Sequence, residues 1–164
     1  MSESEMDLCG PSVLQDAVSE IFNTMIFMEV NSGEGIDENL QEEPCVLGTI
    51  SFTGSFDGAL SICCSSTCAK EITMNLLAFE DETEMEESDI PDAIGEVSNM
   101  TMGALKKKLY DKAGELVVSV PTVVCGASMM NAPRAGQAKL STSIGLSDQF
   151  CLQVSLVYMK SGEE

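Results

Sequence analysis

One octet occurs twice in the chain. Asp16-Ala17-Val18-Ser19-Glu20-Ile21-Phe22-Asn23 aligns without gaps on Asp92-Ala93-Ile94-Gly95-Glu96-Val97-Ser98-Asn99, at an offset of 76 residues. Both copies read D-A-[VI]-x-E-[IV]-x-N. Each is followed, 21 or 22 residues after its Asn, by a proline that opens a strand-like stretch, Pro44 and Pro121. Two units of this length account for nearly all of the 164 residues. Two copies are too few for a solenoid, so the pattern predicts a duplication inside one domain. The expected limits are an acidic, loose tail over residues 1–10 and a single domain over 11–160, with halves at about 12–80 and 88–158.

Hydrophobic periodicity gives each half its elements. Pro11-Ser12 opens a helix, with Ser12 and Gln15 spaced as a capping box. Val13, Leu14, Ala17, Val18, Ile21, Phe22 and Met25 form its apolar stripe. The polar stretch 31–43 reads as a loop. Residues 45–53 and 58–64 read as two strands joined by the TGSF turn, with Gly58 following. Ser65 or Ser66 caps a helix to about Ala78, with Ile72, Leu76 and Leu77 turned inward. The acidic run EDETEMEESD reads as a solvated link. Asp89 is placed to cap a long helix over about 90–113, with Pro91 in its first turn and Gly114 ending it. Lys106, Lys107 and Lys108 lie in its C-terminal half, where positive charge suits the helix dipole. The strands LVVSV, TVVCG, AKLSTSI and FCLQVSLVYM follow, separated by Pro121, Asn131-Ala-Pro and Leu146-Ser-Asp. The expected fold is α/β (α+β): two pseudo-twofold repeats with long helices packed on a largely antiparallel sheet.

Charge and composition narrow the function. A net charge of −19 repels phosphate backbones and anionic lipid, so neither nucleic acid nor membrane is an expected partner. The N-terminal MSESEMD has no basic region and no apolar run, which reads as a cytoplasmic protein. The seven cysteines are irregularly spaced and unsuited to a disulfide framework. The C-C-x-x-x-C of Cys63, Cys64 and Cys68 is not a zinc-ribbon spacing, and the chain has no His, so no metal site is expected. The lack of His also removes Ser-His-Asp and Cys-His chemistry. Carboxylates, amides and hydroxyls remain.

The second octet concentrates such groups. With about 100° per residue, Asp92, Glu96, Asn99 and Gly103 share one face of the long helix, opposite Ala93, Ile94, Val97, Met100, Ala104, Leu105 and Leu109. A plain polar face accounts for such residues in many helices. Asn and Gly are poor helix formers, however, and mid-helix Gly costs about 1 kcal/mol relative to Ala. A bare spot beside a carboxylate and a carboxamide suits close approach by another molecule.

The stretch AIGEVSNMTMGALKKKL with VPTVVCG behind it resembles the CheC/CheX/FliY family of chemotaxis phosphatases, the CheX type above all. The family motif is an acid or Ser, three residues, Glu, two residues, Asn, and a Pro about twenty-two residues on. Asp92, Glu96, Asn99 and Pro121 fit it, and GTISFTGSFDGALSICCS looks like the family's glycine-marked hairpin. The resemblance spans about residues 12–158. It implies a phosphatase that speeds loss of phosphate from the aspartyl-phosphate of a CheY-like response regulator. The exposed helix would insert into the regulator's phosphorylation site. Asn99 would orient the attacking water, and Glu96 would pair with the regulator's active-site lysine. Asp92 and Gly103 are supporting positions. No cofactor is implied in this chain, Mg2+ being expected in the partner. A homodimer joined through sheet edges is implied too. CheC-type relatives carry the motif in both halves, so Glu20 and Asn23 are a possible second site. Phe27 stands where the second copy has Gly103, and a ring there obstructs insertion. The alternative function is a non-catalytic regulator-binding module of the same fold. An acidic structural subunit is a third reading, but it explains neither the Glu96/Asn99 pair nor Gly103.

Overall fold

The computed structural model describes residues 8–31, 43–126 and 135–162. Helix α1 spans Pro11–Ile21 and runs on into a π-helical turn, Phe22–Ile26. Strand β1 is the short Val30–Asn31. The hairpin strands β2, Cys45–Thr53, and β3, Phe56–Ser65, follow. Helix α2 is Ser66–Leu76, and a short 3-10 turn at Glu82–Glu84 leads to helix α3, Asp89–Ala113. Strands β4, Val117–Val118, β5, Thr122–Gly126, β6, Ala138–Leu146, and β7, Phe150–Lys160, complete the described elements.

All strand pairings are antiparallel, in the order β1-β6-β7-β3-β2-β4, with β5 also on the outer side of β2. The order reads alike from both ends: a strand that follows a long helix, then a hairpin. β3 and β7 meet at the centre, with Leu60 opposite Leu156 and Ile62 opposite Val154. Each helix is thus followed by a strand that pairs with the other half's hairpin, β1 on β6 and β4/β5 on β2. The two halves close one another's sheet, which is why neither copy stands alone.

Alternation along the strands puts Val46, Ile50 and Phe52 of β2, Leu60 and Ile62 of β3 and Val154 and Leu156 of β7 on one face. That face packs against Leu14 and Val18 of α1, Phe22 of the π-helical turn, Ile72 of α2 and Ile94, Val97 and Leu105 of α3. α3 is enclosed by this core on most of its circumference, because Gly95, Ser98, Thr101 and Met102 are buried as well as the predicted apolar residues other than the half-buried Met100.

Several local expectations need correction. The Ser12–Gln15 capping box does not form: Gly10 is the N-cap with Pro11 behind it, which moves Ser12 inside the helix, and Gln15 donates instead to Thr142 Oγ1 at 2.8 Å. Ser65 does cap α2, its Oγ accepting from Cys68 N at 3.1 Å. α2 stops two residues early, at Leu76, so Leu77 is turned outward rather than inward, 43% exposed. α3 starts at Asp89 with Ser88 as N-cap, and the Asp89 carboxylate accepts from Glu86 N at 2.7 Å, fixing the preceding turn. β3 begins two residues before the expected 58, leaving Gly54-Ser55 as the hairpin link. Pro44 and Pro121 open strands of different rank, β2 inside the sheet and β5 at its edge. The Asn131-Ala-Pro break and most of the 31–43 loop lie outside the described residues.

One glycine sets the height of α3 above the sheet. A Cβ on Gly48 of β2 would overlap Ser98 Oγ and stand 3.1 Å from Ile94 Cγ2. Ser98 Oγ itself is held by donating to Ile94 O at 2.8 Å. Gly48→Ala is therefore expected to cost about 1–3 kcal/mol as an overpacking change. Ser98→Ala removes the overlapping atom, so the double variant should recover part of that loss. Urea unfolding of the four proteins in the cycle reads the coupling; additive effects would show that α3 does not approach β2 at this point.

Candidate active site on helix α3

α3 presents one free stripe to solvent. Asp92, Glu96 and Asn99 are exposed, and Gly103 is half-buried beside them. Between Asp92 and Leu105 the buried and half-buried residues of α3 fill the rest of its circumference, so the stripe is what remains after packing. The acid Asp92 lies in the first turn, where it favours the helix dipole. Glu96 and Asn99 are three residues apart, about 4.5 Å along the axis, and project side by side. Among the described residues, none of the Asp92, Glu96 and Asn99 side chains has a hydrogen bond or an ion pair. A free carboxylate and a free carboxamide therefore stand next to each other on a rigid 25-residue helix. A Cβ built on Gly103 meets no heavy atom within 4 Å, so glycine is not required there by the protein's own packing.

Pro121 lies on the flank of the same helix. A Cβ on Gly95 would stand 3.5 Å from Val123 Cγ2 and 3.7 Å from Pro121 Cγ. The proline that completes the sequence motif is thus brought beside the residue preceding Glu96. It braces α3 against the edge strand.

The first copy is arranged differently. Glu20 is engaged by Lys108 of α3, Oε2 to Nζ 3.8 Å. Asn23 sits in the π-helical turn that ends α1, whereas α3 continues fourteen residues beyond Asn99. Phe27, the residue matching Gly103, has left-handed backbone angles (φ 60°, ψ 38°) and is 77% exposed. The structure brings Asp92, Glu96, Asn99 and Gly103 onto one open face, while Glu20 and Asn23 are exposed at the end of the first helix, Glu20 engaged by Lys108.

Cys63 of β3 lies beside Cys45 of β2, with a side-chain hydrogen bond between them. Cys63 and Cys64 are consecutive in β3 and point to opposite faces of the sheet. Burial pushes the Cys63 thiol up to about 12, with the neighbouring Cys45 and Cys64 adding to the shift, so it stays a neutral thiol. All seven cysteines are unbridged. Among the described residues no three His, Cys, Asp or Glu are grouped to hold a metal ion, and no helix is long and apolar enough to cross a membrane.

Sequence reasoning missed the residues that seat the helix, Gly48 and Ser98. Ser98 falls at the second variable position of the octet, opposite Phe22.

Comparison with known proteins bears on this face. A family profile described as "Chemotaxis phosphatase CheX" matches residues 46–145. The CheY-P phosphatase CheX of Thermotoga maritima is 28% identical over 158 residues, covering 96% of this chain and 99% of that protein. Among solved structures, the chemotaxis protein CheX of Vibrio vulnificus superposes with a TM-score of 0.75 at 19% identity, covering 96% of this chain and 99% of the other. The structure of a CheX-CheY-BeF3-Mg2+ complex from Borrelia burgdorferi gives a TM-score of 0.69 at 18% identity, over 94% and 100% of the two chains.

Proposed function

Since the chain belongs to the CheX family of chemotaxis phosphatases, we propose that it is a phosphatase that hydrolyses the aspartyl-phosphate of a CheY-like response regulator, in the cytoplasm. The observation that carries this reading is the Glu96/Asn99 pair on the open stripe of α3, its side chains without a partner among the described residues, beside the bare backbone of Gly103.

Hydrolysis of an aspartyl-phosphate needs a water in line with the phosphorus. The P–O bond to the aspartate breaks, and inorganic phosphate and a free carboxylate result. Phosphoryl transfer depends largely on positioning and electrostatics. A carboxamide meets the first need: the Asn99 side-chain oxygen accepts a hydrogen bond from the water, and its NH2 donates toward phosphoryl oxygen. Glu96, one turn back on the same face, pairs with a cationic side chain of the regulator and fixes the register. Neither step uses a base on this chain. The divalent ion belongs to the regulator in this proposal, and no residue here is assigned to hold it.

One site carries the activity. Glu20 is engaged by Lys108, Asn23 sits in a π-helical turn at the end of a helix, and a phenylalanine takes the sequence position that Gly103 holds in the second copy. Asn23→Ala is therefore expected to retain the full rate of phosphate loss from a phosphorylated CheY-like regulator. A fall comparable to that of an Asn99 variant would establish a two-site protein.

A homodimer joined through the β4–β5 edge is part of the proposal. This edge exposes Val117 (67%), Val120 (83%) and Val124 (43%). β7, by contrast, is paired on both sides and offers no edge. Light scattering should give twice the 17.5 kDa chain mass, and Val120→Lys should reduce it to the single-chain value. A single-chain mass for the unaltered protein would reject the dimer.

A further inference from the structure

Beyond Gly103 the open stripe of α3 continues. Lys107, Tyr110 and Gly114 follow at helical spacing on the same side as Glu96 and Asn99. Here the surface is an open groove of about 590 Å³ between Gly103 and Gly114, with Lys106, Lys107, Tyr110, Asp111 and Glu115 among its walls. Its shape comes from the local sequence: two glycines leave the ends low, and the Tyr110 ring stands up between them. Gly114, with φ 67°, ends the helix, its N–H donating to Tyr110 O at 2.8 Å. The turn places Glu115 where Lys106 reaches it, Nζ to Oε1 3.2 Å.

Charge distinguishes this end of the helix. Residues 106–115 hold four of the chain's eight basic residues and two acids, Asp111 and Glu115, a local charge of +2 in a chain of −19. Lys106 is paired with Glu115 and Lys108 with Glu20. Lys107 has no ion pair among the described residues, and Tyr110 is 58% exposed, its hydroxyl without a hydrogen-bond partner among them. Carboxylates at Asp92 and Glu96 thus mark one end of the stripe, and the Lys107 ammonium and Tyr110 ring, with the Asp111 carboxylate beside them in a net positive segment, mark the other. The two ends are about 16–27 Å apart at 1.5 Å per residue, a span suited to one standard protein interface.

We infer that Lys107 and Tyr110 form a second docking point for the response regulator, taking an acidic segment of its surface alongside the phosphorylation site. This rests on the regulator-binding reading above and deepens it. The Tyr110 ring supplies apolar contact area at low entropic cost, and Lys107 supplies the charge that selects an acidic partner segment. The two ends of the stripe have opposite sign, so a regulator docked in reverse meets like charges. The groove thereby sets orientation as well as affinity, and positions the phosphoryl group over Asn99 without touching it.

The test is direct binding of a CheY-like regulator from the same organism, in its beryllofluoride form, followed by calorimetry alongside the rate of phosphate loss. Lys107→Glu and Tyr110→Ala should each weaken binding on the order of tenfold, and Lys107→Arg and Tyr110→Phe should restore most of it. Wild-type affinity should fall with salt more steeply than that of Lys107→Glu. Unchanged affinity and salt dependence in folded variants would overturn the inference while leaving the phosphatase reading intact. Tenfold weaker variants of a protein that binds but never speeds phosphate loss would uphold the docking point and remove the phosphatase. A wild-type protein that binds no regulator would overturn it.

Discussion

Asn99→Ala should lower the rate of regulator dephosphorylation by a factor on the order of 10²–10³, the loss seen when a single transition-state contact is removed. The protein itself should be almost untouched. Asn99 is exposed and its amide has no partner among the described residues, and Ala is the better helix former by several tenths of a kcal/mol, or about 0.5. The thermal midpoint should therefore hold or rise as the activity collapses. Binding of the regulator should persist, because Glu96 and the rest of the stripe remain. Rates under saturating regulator, with a melting curve for each protein, give the comparison. A proportional loss of stability and rate would mean that Asn99 serves the fold.

Gly103 carries the second large effect, and its two substitutions point in opposite directions. Nothing lies within 4 Å of a Cβ at this position, so Gly103→Ala should stabilise the protein by about 1 kcal/mol through helix propensity alone. Gly103→Phe places on the active face the ring that the first copy carries as Phe27. It should leave the fold intact yet lower phosphatase activity on the order of a hundredfold, since misplacing reacting groups by about 1 Å has that cost. A natural glycine that is costly for stability and unneeded for packing is best explained by what approaches it from outside. Full activity in Gly103→Phe would mean that the partner does not come that close to α3.

The parts of this molecule set by local periodicity were legible in the sequence. The apolar residues of α3 recur at helical spacing, so its buried side, and by elimination the Asp92–Glu96–Asn99–Gly103 stripe, could be placed before any coordinates. The β2–β3 hairpin was visible for the same reason, since its turn and strands are contiguous. Strand order was not. Alternation along a strand tells which residues share a face, but not which other strand lies beside it. Hence Pro44 and Pro121 were paired by distance along the chain, although one opens an inner strand and the other an edge. The β1 strand, two residues long, exists through its pairing with Leu146 and Gly145 and has no pattern of its own. Gly48 and Ser98 meet only because sheet and helix cross there, a contact between residues fifty positions apart. Helix ends were misplaced by one or two residues where a neighbouring proline or a left-handed residue such as Ala78 decided the stop.

The Glu96/Asn99 pair separates a phosphatase from a protein that only holds its regulator, because an oriented water requires the amide and simple docking does not. The most direct measurement is the lifetime of phosphate on a radiolabelled CheY-like regulator with and without this protein, at concentrations where binding is independently observed. The account predicts a lifetime shortened by the wild-type protein and by Asn23→Ala, and restored to the regulator's own value by Asn99→Ala. A phosphate lifetime unchanged by a wild-type protein that is demonstrably bound would contradict it, and would make the chain a binding module built on the same fold.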